Sequence, residues 1–498
     1  MKRKWILAGS ALLIFSLHVS GIQAQTFKHM KNRVKEKTLT NGMKWVVFER
    51  HDAPVVSFNL YADVGAANES YGITGISHLL EHMAFKGSKT VGTTDYAKEK
   101  PLLEEMDRLY ALISAEKAGQ HADTVKINAW QARFDAVQAE AKSLVVSNEL
   151  IDLFDREGEA GINAGTNNDC TQYLNALPSN RLEFWMAATS DRFMNPVFRE
   201  FYTERNVVIE ERRMRTETQP LGRLMEDFFA AAFKAHPYHH SVVGHMSDLN
   251  RITRQDVIDY FNTYYIPSNM VVSVAGDVDA KTVFKLAERY FGRIDSGPKP
   301  LPPRTIEPEQ WGERHIKVTA QSQPILLVGY HRPAGNHPDD AALGALTNII
   351  GEGRSSWLYH ELVKEKKIAI QCGAFNGFPG DKYPNLIAFF AVPAQGHTAQ
   401  ECLDAIDEAI ARVRTEAVSA EELTKYKRST KKGIIDAMKS NSGMARMLAE
   451  AEAKEGGWEA FFEAYNEVQS VSAEAIKTVA EKYLVRSNRT VGEIVPEK

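Results

Sequence analysis

Gly75-Ile76-Ser77-His78-Leu79-Leu80-Glu81-His82 is the stretch on which the reading of this sequence turns. Around it, Ile76, Leu79, Leu80 and Met83 recur at helical spacing, Thr74 is a suitable N-cap and Gly87 a stop, so a helix is predicted over Thr74–Lys86. Residues four apart on a helix lie one turn apart on the same face, so His78 and His82 can present imidazole nitrogens to a single metal ion. Glu81 falls beside that metal rather than beneath it. A carboxylate there can take a proton from an attacking water without filling a ligand position. The order H-x-x-E-H inverts the commoner zinc-protease arrangement, and both orders satisfy the same geometry. The bland alternative is a solvated helix face with a His–Glu pair. The apolar opposite face and the strands that precede the helix argue against it.

Those strands come from Arg33–Val64. Lys44–Phe48 follows an Asn41-Gly42 turn, and Val55–Leu60 comes next. A catalytic zinc site needs a third protein ligand and one open position. Glu204-Arg205-Asn206-Val207-Val208-Ile209-Glu210-Glu211 supplies the candidate. Glu204 and Glu211 are two helical turns apart and face the same way, whereas Glu210 points about a quarter turn aside. Glu211 as ligand, with Glu204 behind it, therefore fits better than Glu210. An acidic helix taken alone is more often simply a solvated face.

Five prolines between Ser296 and Gly312 exclude helix or central strand, so residues 297–312 are expected to link two halves, 33–296 and 313–498. In each half apolar strands precede a helix, at Val55–Leu60 and Ile325–Tyr330. The closing helix and strand run in opposite orders, at Val271–Ala275 then Val283–Phe291, and at Ile476–Tyr483 then Thr490–Val495. A duplicated α+β unit is the expectation. About 101–147, two amphipathic stretches (Leu102, Met106, Leu109, Ile113; Trp130, Phe134, Val137, Ala141, Leu144) flank a polar break and are expected to pack as an inserted helical hairpin, structural or serving as a lid or partner-binding arm.

The 498 residues carry a net charge of −4 and 25% charged side chains, which gives no electrostatic case for nucleic acid or an anionic membrane. Three cysteines, Cys170, Cys372 and Cys402, match no metal or disulfide spacing. Cys170 is expected as a small buried side chain. His236, His239, His240 and His245 surround Pro237 and present no rigid ligand face. Lys2-Arg3-Lys4, the apolar run Trp5–Val19 and Ile22-Gln23-Ala24 make residues 1–24 a secretory signal peptide, with an uncleaved anchor as the alternative. The mature chain is then exported, most simply to a periplasm, and has no membrane span.

Together with Asn163-Ala164-Gly165-Thr166, Ser268–Asp277 and Gly351–Leu358, the two helical motifs resemble the pitrilysin, or insulinase-like, zinc peptidases in order from about Arg33 to Pro496. The resemblance implies an α+β fold of two homologous halves, each a mixed β-sheet with helices mainly on one face, and zinc in the first half only. It implies a Zn2+-dependent endopeptidase acting on peptides or unfolded polypeptides. His78, His82 and Glu211 would be the ligands, Glu81 the general base, Glu204 the carboxylate behind them, and Asn163 and Ala164 part of the edge strand on which substrate is laid. Two departures stand out. The interval from His82 to Glu211 is long by about the length of the hairpin. Val363 and Ile370 stand where family members that work alone carry an arginine and a tyrosine; Lys364 or Lys366 is the alternative cation. A related partner chain supplying that pair, or a homodimer, is expected. The rivals are a non-catalytic scaffold subunit and a zinc hydrolase of non-peptide amides.

Overall fold

The computed structural model describes residues 30–497, so the signal segment expected at 1–24 lies outside them. The first sheet has six strands in the order β1-β2-β6-β3-β5-β4: Val34–Thr38, Lys44–Glu49, Met270–Gly276, Val55–Ala62, Thr171–Pro178 and Asn163–Thr166. The second has five, β7-β11-β8-β10-β9: Arg314–Ala320, Arg489–Pro496, Ile325–Arg332, Asn385–Pro393 and Ala369–Phe378. In each sheet one neighbouring pair is parallel, β2 with β6 and β7 with β11, and the remaining pairs are antiparallel. The two halves thus share a topology, with β1 as the first half's extra edge.

Both halves close in the same order, which corrects the sequence expectation. Helix Arg254–Tyr264 leads into β6, and helix Ala473–Tyr483 leads into β11, each through a short 3-10 turn. The match reaches single hydrogen bonds. Asn269 Nδ2 donates to Tyr264 O at 2.9 Å and Asp63 O at 3.3 Å. Asn488 Nδ2 donates to Tyr483 O at 2.9 Å and His331 O at 2.8 Å. In each half one amide pins the helix end to the neighbouring strand. The helix Ala280–Tyr290 after β6, which suggested the opposite order, leads on into the linker.

Strands buried on both faces read as continuous apolar runs, and Trp45-Val46-Val47-Phe48 is such a run. Trp45 and Val47 join Phe58, Val272 and Val274 in the first half's own core. Val46 and Phe48 face the other way, onto Met444, Ala445 and Leu448 of helix Asn441–Glu455 from the second half. The exchange is reciprocal. Helix Pro220–Ala232 of the first half lays Leu224 and Phe228 against Leu327, Leu386, Ala388 and Ile494 of the second sheet. Close approach explains two strand glycines: a Cβ at Gly329 would lie 2.8 Å from the Phe228 ring, and one at Gly492 would lie 3.0 Å from it. Each sheet therefore carries its own helices on one face and a single helix lent by the other half on the opposite face.

The hairpin is present as helices Tyr96–Ala118 and Thr124–Leu144, capped by Asp95 and Asp123. The first helix begins before residue 101 because Asp95 accepts from the Lys98 amide at 3.2 Å, and Pro101 is carried within it. Met106, Leu109, Ile113, Phe134, Val137 and Ala141 are buried in the first-half core, so the hairpin is an integral wall of that half. No helix among the described residues is long and apolar enough to cross a membrane.

Candidate metal centre

The motif helix runs from Ile76 to Met83 and buries Ile76, Leu79, Leu80 and Met83. Thr74 is not its cap. Its amide and hydroxyl both donate to Asp248 Oδ2, at 3.1 and 2.7 Å, while Gly75 takes the capping position at φ 90°. A Cβ on Gly75 would lie 2.4 Å from Val243 O, so the site requires glycine twice over. Glycine has no side chain to cap with, and the missing acceptor comes from Glu69. Its carboxylate receives the amides of Gly75 at 2.7 Å and Ser77 at 2.8 Å. Burial pushes the Glu69 carboxyl up from its ordinary 4.5 to about 8, against the pull of those two amides.

The facing helix, Phe201–Arg212, carries the carboxylates. Glu211 Oε1 lies 3.7 Å from His78 Nε2, and Glu211 Oε2 lies 3.6 Å from His82 Nε2. One donor atom from each of the three residues falls within 4.8 Å of the others, and no other His, Cys, Asp and Glu grouping of this kind occurs among the described residues. Tetrahedral zinc with bonds of about 2.0–2.1 Å sets its ligand atoms about 3.3–3.4 Å apart, so the spacing fits that ion with small adjustments. Burial, with His82 and Arg215 nearby, lowers the His78 imidazole to about 3, which keeps it in the neutral form a metal needs. Behind His82, Glu204 Oε2 approaches Nδ1 at 3.5 Å, and Lys86 Nζ holds the other Glu204 oxygen at 2.5 Å. A carboxylate on the far ring nitrogen fixes tautomer and orientation. Glu210 turns away and pairs with Arg213.

Glu81, Glu211 and both histidines open into a cleft of about 1050 Å³. The Thr166 hydroxyl donates to Glu81 Oε2 at 2.6 Å. Burial raises the Glu81 pKa, with the Thr166 hydrogen bond opposing it, the direction that makes a carboxylate a stronger base. Thr166 ends β4, the sheet edge that also carries Asn163 and Ala164 and pairs only with β5. Asn163 Oδ1 accepts from the Ala164 amide at 2.9 Å. Val207 and Met214, 46% and 63% exposed, add an apolar stripe to the cleft wall.

Cleft-lining residues all fall between 78 and 243. Val363 packs against the second core, and Ile370 is 59% exposed on β9. Lys364 sits over the Tyr359 ring, and Lys366 is engaged by Glu361 and Glu408 at 2.8 and 2.5 Å. The four later histidines serve separate partners: His236 Nδ1 accepts from Tyr238 N, His239 meets Tyr71 OH, His240 sits by Glu69, and His245 sits by Glu226. Cys170 is fully buried. Glu69 and Lys86 were given no role by the sequence reading, and Thr166, within the quoted Asn163–Thr166 segment, was given none beside Glu81. Lys86 lies beyond the helix, which ends at Met83 and not at the expected Lys86, so it left no helical signal.

Arg215, in the π-helical turn Arg213–Glu217, donates to Glu211 Oε1 at 2.8 Å from the cleft wall. It too was missed, because the π turn that brings it back over Glu211 has no periodic signature.

Comparison with known proteins shows the family to which the chain belongs. Residues 45–104 match the family model described as insulinase (peptidase family M16), and residues 251–430 match the one described as the peptidase M16 inactive domain. The zinc protease PqqE of Helicobacter pylori is 30% identical over 454 residues, covering 90% of this chain and 88% of that protein. A probable mitochondrial-processing peptidase subunit beta of Arabidopsis thaliana is 23% identical, covering 92% and 78%. The crystal structure of a protease from Helicobacter pylori superposes with a TM-score of 0.77 at 26% identity, covering 93% of this chain and 99% of that one. Similarity at that level over nine-tenths of the chain, with a family match in each half, makes this protein a member of the insulinase, or M16, peptidase family.

Proposed function

We propose that this chain is an exported, periplasmic zinc-dependent endopeptidase acting on peptides or unfolded polypeptides. Residues 33–296 form its catalytic half, and residues 313–498 form a half without metal. His78, His82 and Glu211 hold the zinc, and Glu204 orients His82. The observation that carries this reading is the trio of donor atoms lying within 4.8 Å of one another, with the further carboxylate of Glu81 in the same cleft. Zinc, when bound, supplies Lewis-acid polarisation of the scissile carbonyl and acidifies water. Glu81, steadied by Thr166, takes the proton of the attacking water and returns it to the leaving amine. The open edge of β4, with Asn163 and Ala164, receives substrate as an added strand. Glu81→Gln should keep stoichiometric zinc and lose turnover by several orders of magnitude, whereas Glu211→Gln should lose zinc. Metal analysis alongside a peptide-cleavage assay reads both, and the opposite assignment would exchange the two roles.

The cleft draws nothing from the second half, and Val363 and Ile370 offer no hydrogen bond to a developing oxyanion. One missing donor of that kind costs about two to three orders of magnitude in rate. A related chain carrying an arginine–tyrosine pair is therefore proposed to complete the site. Full activity of the isolated monomer, unchanged by candidate partner chains, would refute it.

A further inference from the structure

A second cavity, of about 920 Å³, lies between the helical hairpin and the outer side of helix Phe201–Arg212. It meets the metal cleft at two residues common to both walls, Gln138 and Asn206. Neither amide makes a side-chain hydrogen bond among the described residues, so both are free to read a peptide backbone. Inside the cavity wall stands Arg205, only 8% exposed. Its Nη1 donates to Tyr110 OH at 2.7 Å and Ile252 O at 2.9 Å, and its guanidinium lies 4.7 Å from the Tyr110 ring centre and 5.4 Å from that of Tyr202. Among the described residues no carboxylate comes within ion-pairing distance of it, and its Nε has no hydrogen-bond partner. Lys117 and Arg251 are exposed on the same wall. The only acidic group lining the cavity, Asp135, already accepts from Gln131 Nε2 at 2.8 Å.

A desolvated guanidinium is normally paired with a carboxylate, because the planar fork matches that anion and an unpaired buried charge is costly. Here three cations face one occupied acid, and the joint with the metal cleft is lined by amides. We propose that this cavity is a carboxylate-receiving subsite, in which Arg205 binds a carboxylate of the polypeptide while the chain crosses Gln138 and Asn206 to the metal cleft. That the ligand is a peptide rests on the peptidase reading above. Crossing a helix about 10 Å wide with a strand rising about 3.3 Å per residue separates the carboxylate from the scissile bond by roughly three to five residues. The hairpin is then a specificity wall, since without it there would be no cavity.

The carboxylate could belong to an acidic side chain or to the substrate's C-terminus, and one peptide series separates them. A neutral, C-terminally amidated parent is compared with its free-acid form and with amidated versions carrying Glu at each position in turn. Binding to zinc-loaded Glu81→Gln protein is read by fluorescence anisotropy, alone and with Arg205→Gln or the exposed pair Lys117→Ala/Arg251→Ala added. Affinity ratios are taken within each protein, so a partly misfolded preparation does not distort them. The expected result is about tenfold tighter binding of one carboxylate peptide over the parent, falling to about one with Arg205→Gln and to about threefold with the exposed pair. No carboxylate preference in the Glu81→Gln protein, or a tenfold preference surviving Arg205→Gln, overturns the proposal. Should Arg205→Gln fail to fold by circular dichroism, a preference undiminished in the exposed pair overturns it instead. Cleavage of the neutral parent by wild-type protein is measured separately. Its absence would overturn the peptidase reading while leaving the anisotropy result to decide the subsite.

Discussion

Glu204 touches the site from behind, and removing it should weaken zinc binding without removing a ligand. Its Oε2 lies 3.5 Å from His82 Nδ1, on the opposite side of the ring from the nitrogen that faces Glu211. At an effective dielectric of 20, a unit charge at that distance favours the cationic ring by about 5 kcal/mol. Lys86, 2.5 Å from the other oxygen, cancels much of that. What remains is orientation and basicity of one ligand, for which partner loss costs about 10–100-fold in metal affinity, or about 1.4–2.7 kcal/mol. Glu204→Gln keeps an acceptor oxygen and should sit near tenfold; Glu204→Ala should sit near a hundredfold; Glu211→Ala should exceed both. Competition with a chromogenic chelator of known affinity measures the zinc Kd of each, with the melting temperature recorded in parallel. A Kd for Glu204→Ala within about threefold of wild type would refute an orienting role. A loss equal to that of Glu211→Ala would make Glu204 a ligand.

Three further outcomes follow from the structure. Arg199 and Glu99, 1% and 0% exposed, form a bidentate ion pair at 2.9 and 3.2 Å, and Glu99→Ala should cost about 3–5 kcal/mol in chemical denaturation; a loss under about 1 kcal/mol would refute it. Gly75→Ala adds a left-handed backbone penalty and a Cβ 2.4 Å from Val243 O, so destabilisation of about 2–5 kcal/mol is expected, with loss of zinc, and a variant as stable as wild type would contradict this. Glu69 binds its proton more tightly folded than unfolded, so its contribution to stability is fully present below about 4.5 and is lost as pH rises through about 8. The stability of wild type minus that of Glu69→Gln should therefore fall across that window, and a difference that rises with pH would refute the assignment.

The motif helix was legible because its signal is local: apolar residues at 76, 79, 80 and 83 with two histidines one turn apart. Its cap was not, because Thr74 has the right chemistry for a cap but is claimed by Asp248, while the true acceptor is Glu69, six residues upstream of Gly75 and useful only after a loop has folded back. The placement of Glu204 and Glu211 on one face followed from helical geometry alone, and the structure brings Glu211 to both imidazoles. Arg205, in the same quoted segment, gave no hint of its burial, because tertiary contacts with Tyr110 and Ile252 create it. The hidden repeat had a similar cause. Asn269 and Asn488 do equivalent work, yet the helix Ala280–Tyr290 that follows β6 disguised the order. The exchange of helices between sheets could not be read at all, since an amphipathic helix does not name the sheet it will cover.

The asymmetry between the halves has a physical basis in what the proposed metal site would cost. After β3 comes the motif helix with His78, Glu81 and His82; after β8 the corresponding helix is Asp340–Gly351, which buries Ala342, Leu343, Ala345, Leu346, Ile349 and Ile350 and bears no histidine or glutamate. The first half buries polar groups beside the site, Glu69 with its carboxyl pushed up to about 8 and His78 lowered to about 3, and taking such groups out of water costs free energy that the surrounding fold must offset. A second copy of that cluster would add the same cost. Apolar side chains at the equivalent positions instead contribute about 25 cal/mol for each Å² removed from water. The second half also packs on the first: its helix Asn441–Glu455 covers one face of the first sheet, through Met444, Ala445 and Leu448. Substitutions there should act on the metal site only through stability, in contrast to Glu204, whose effect should appear in zinc affinity before it appears in the melting temperature.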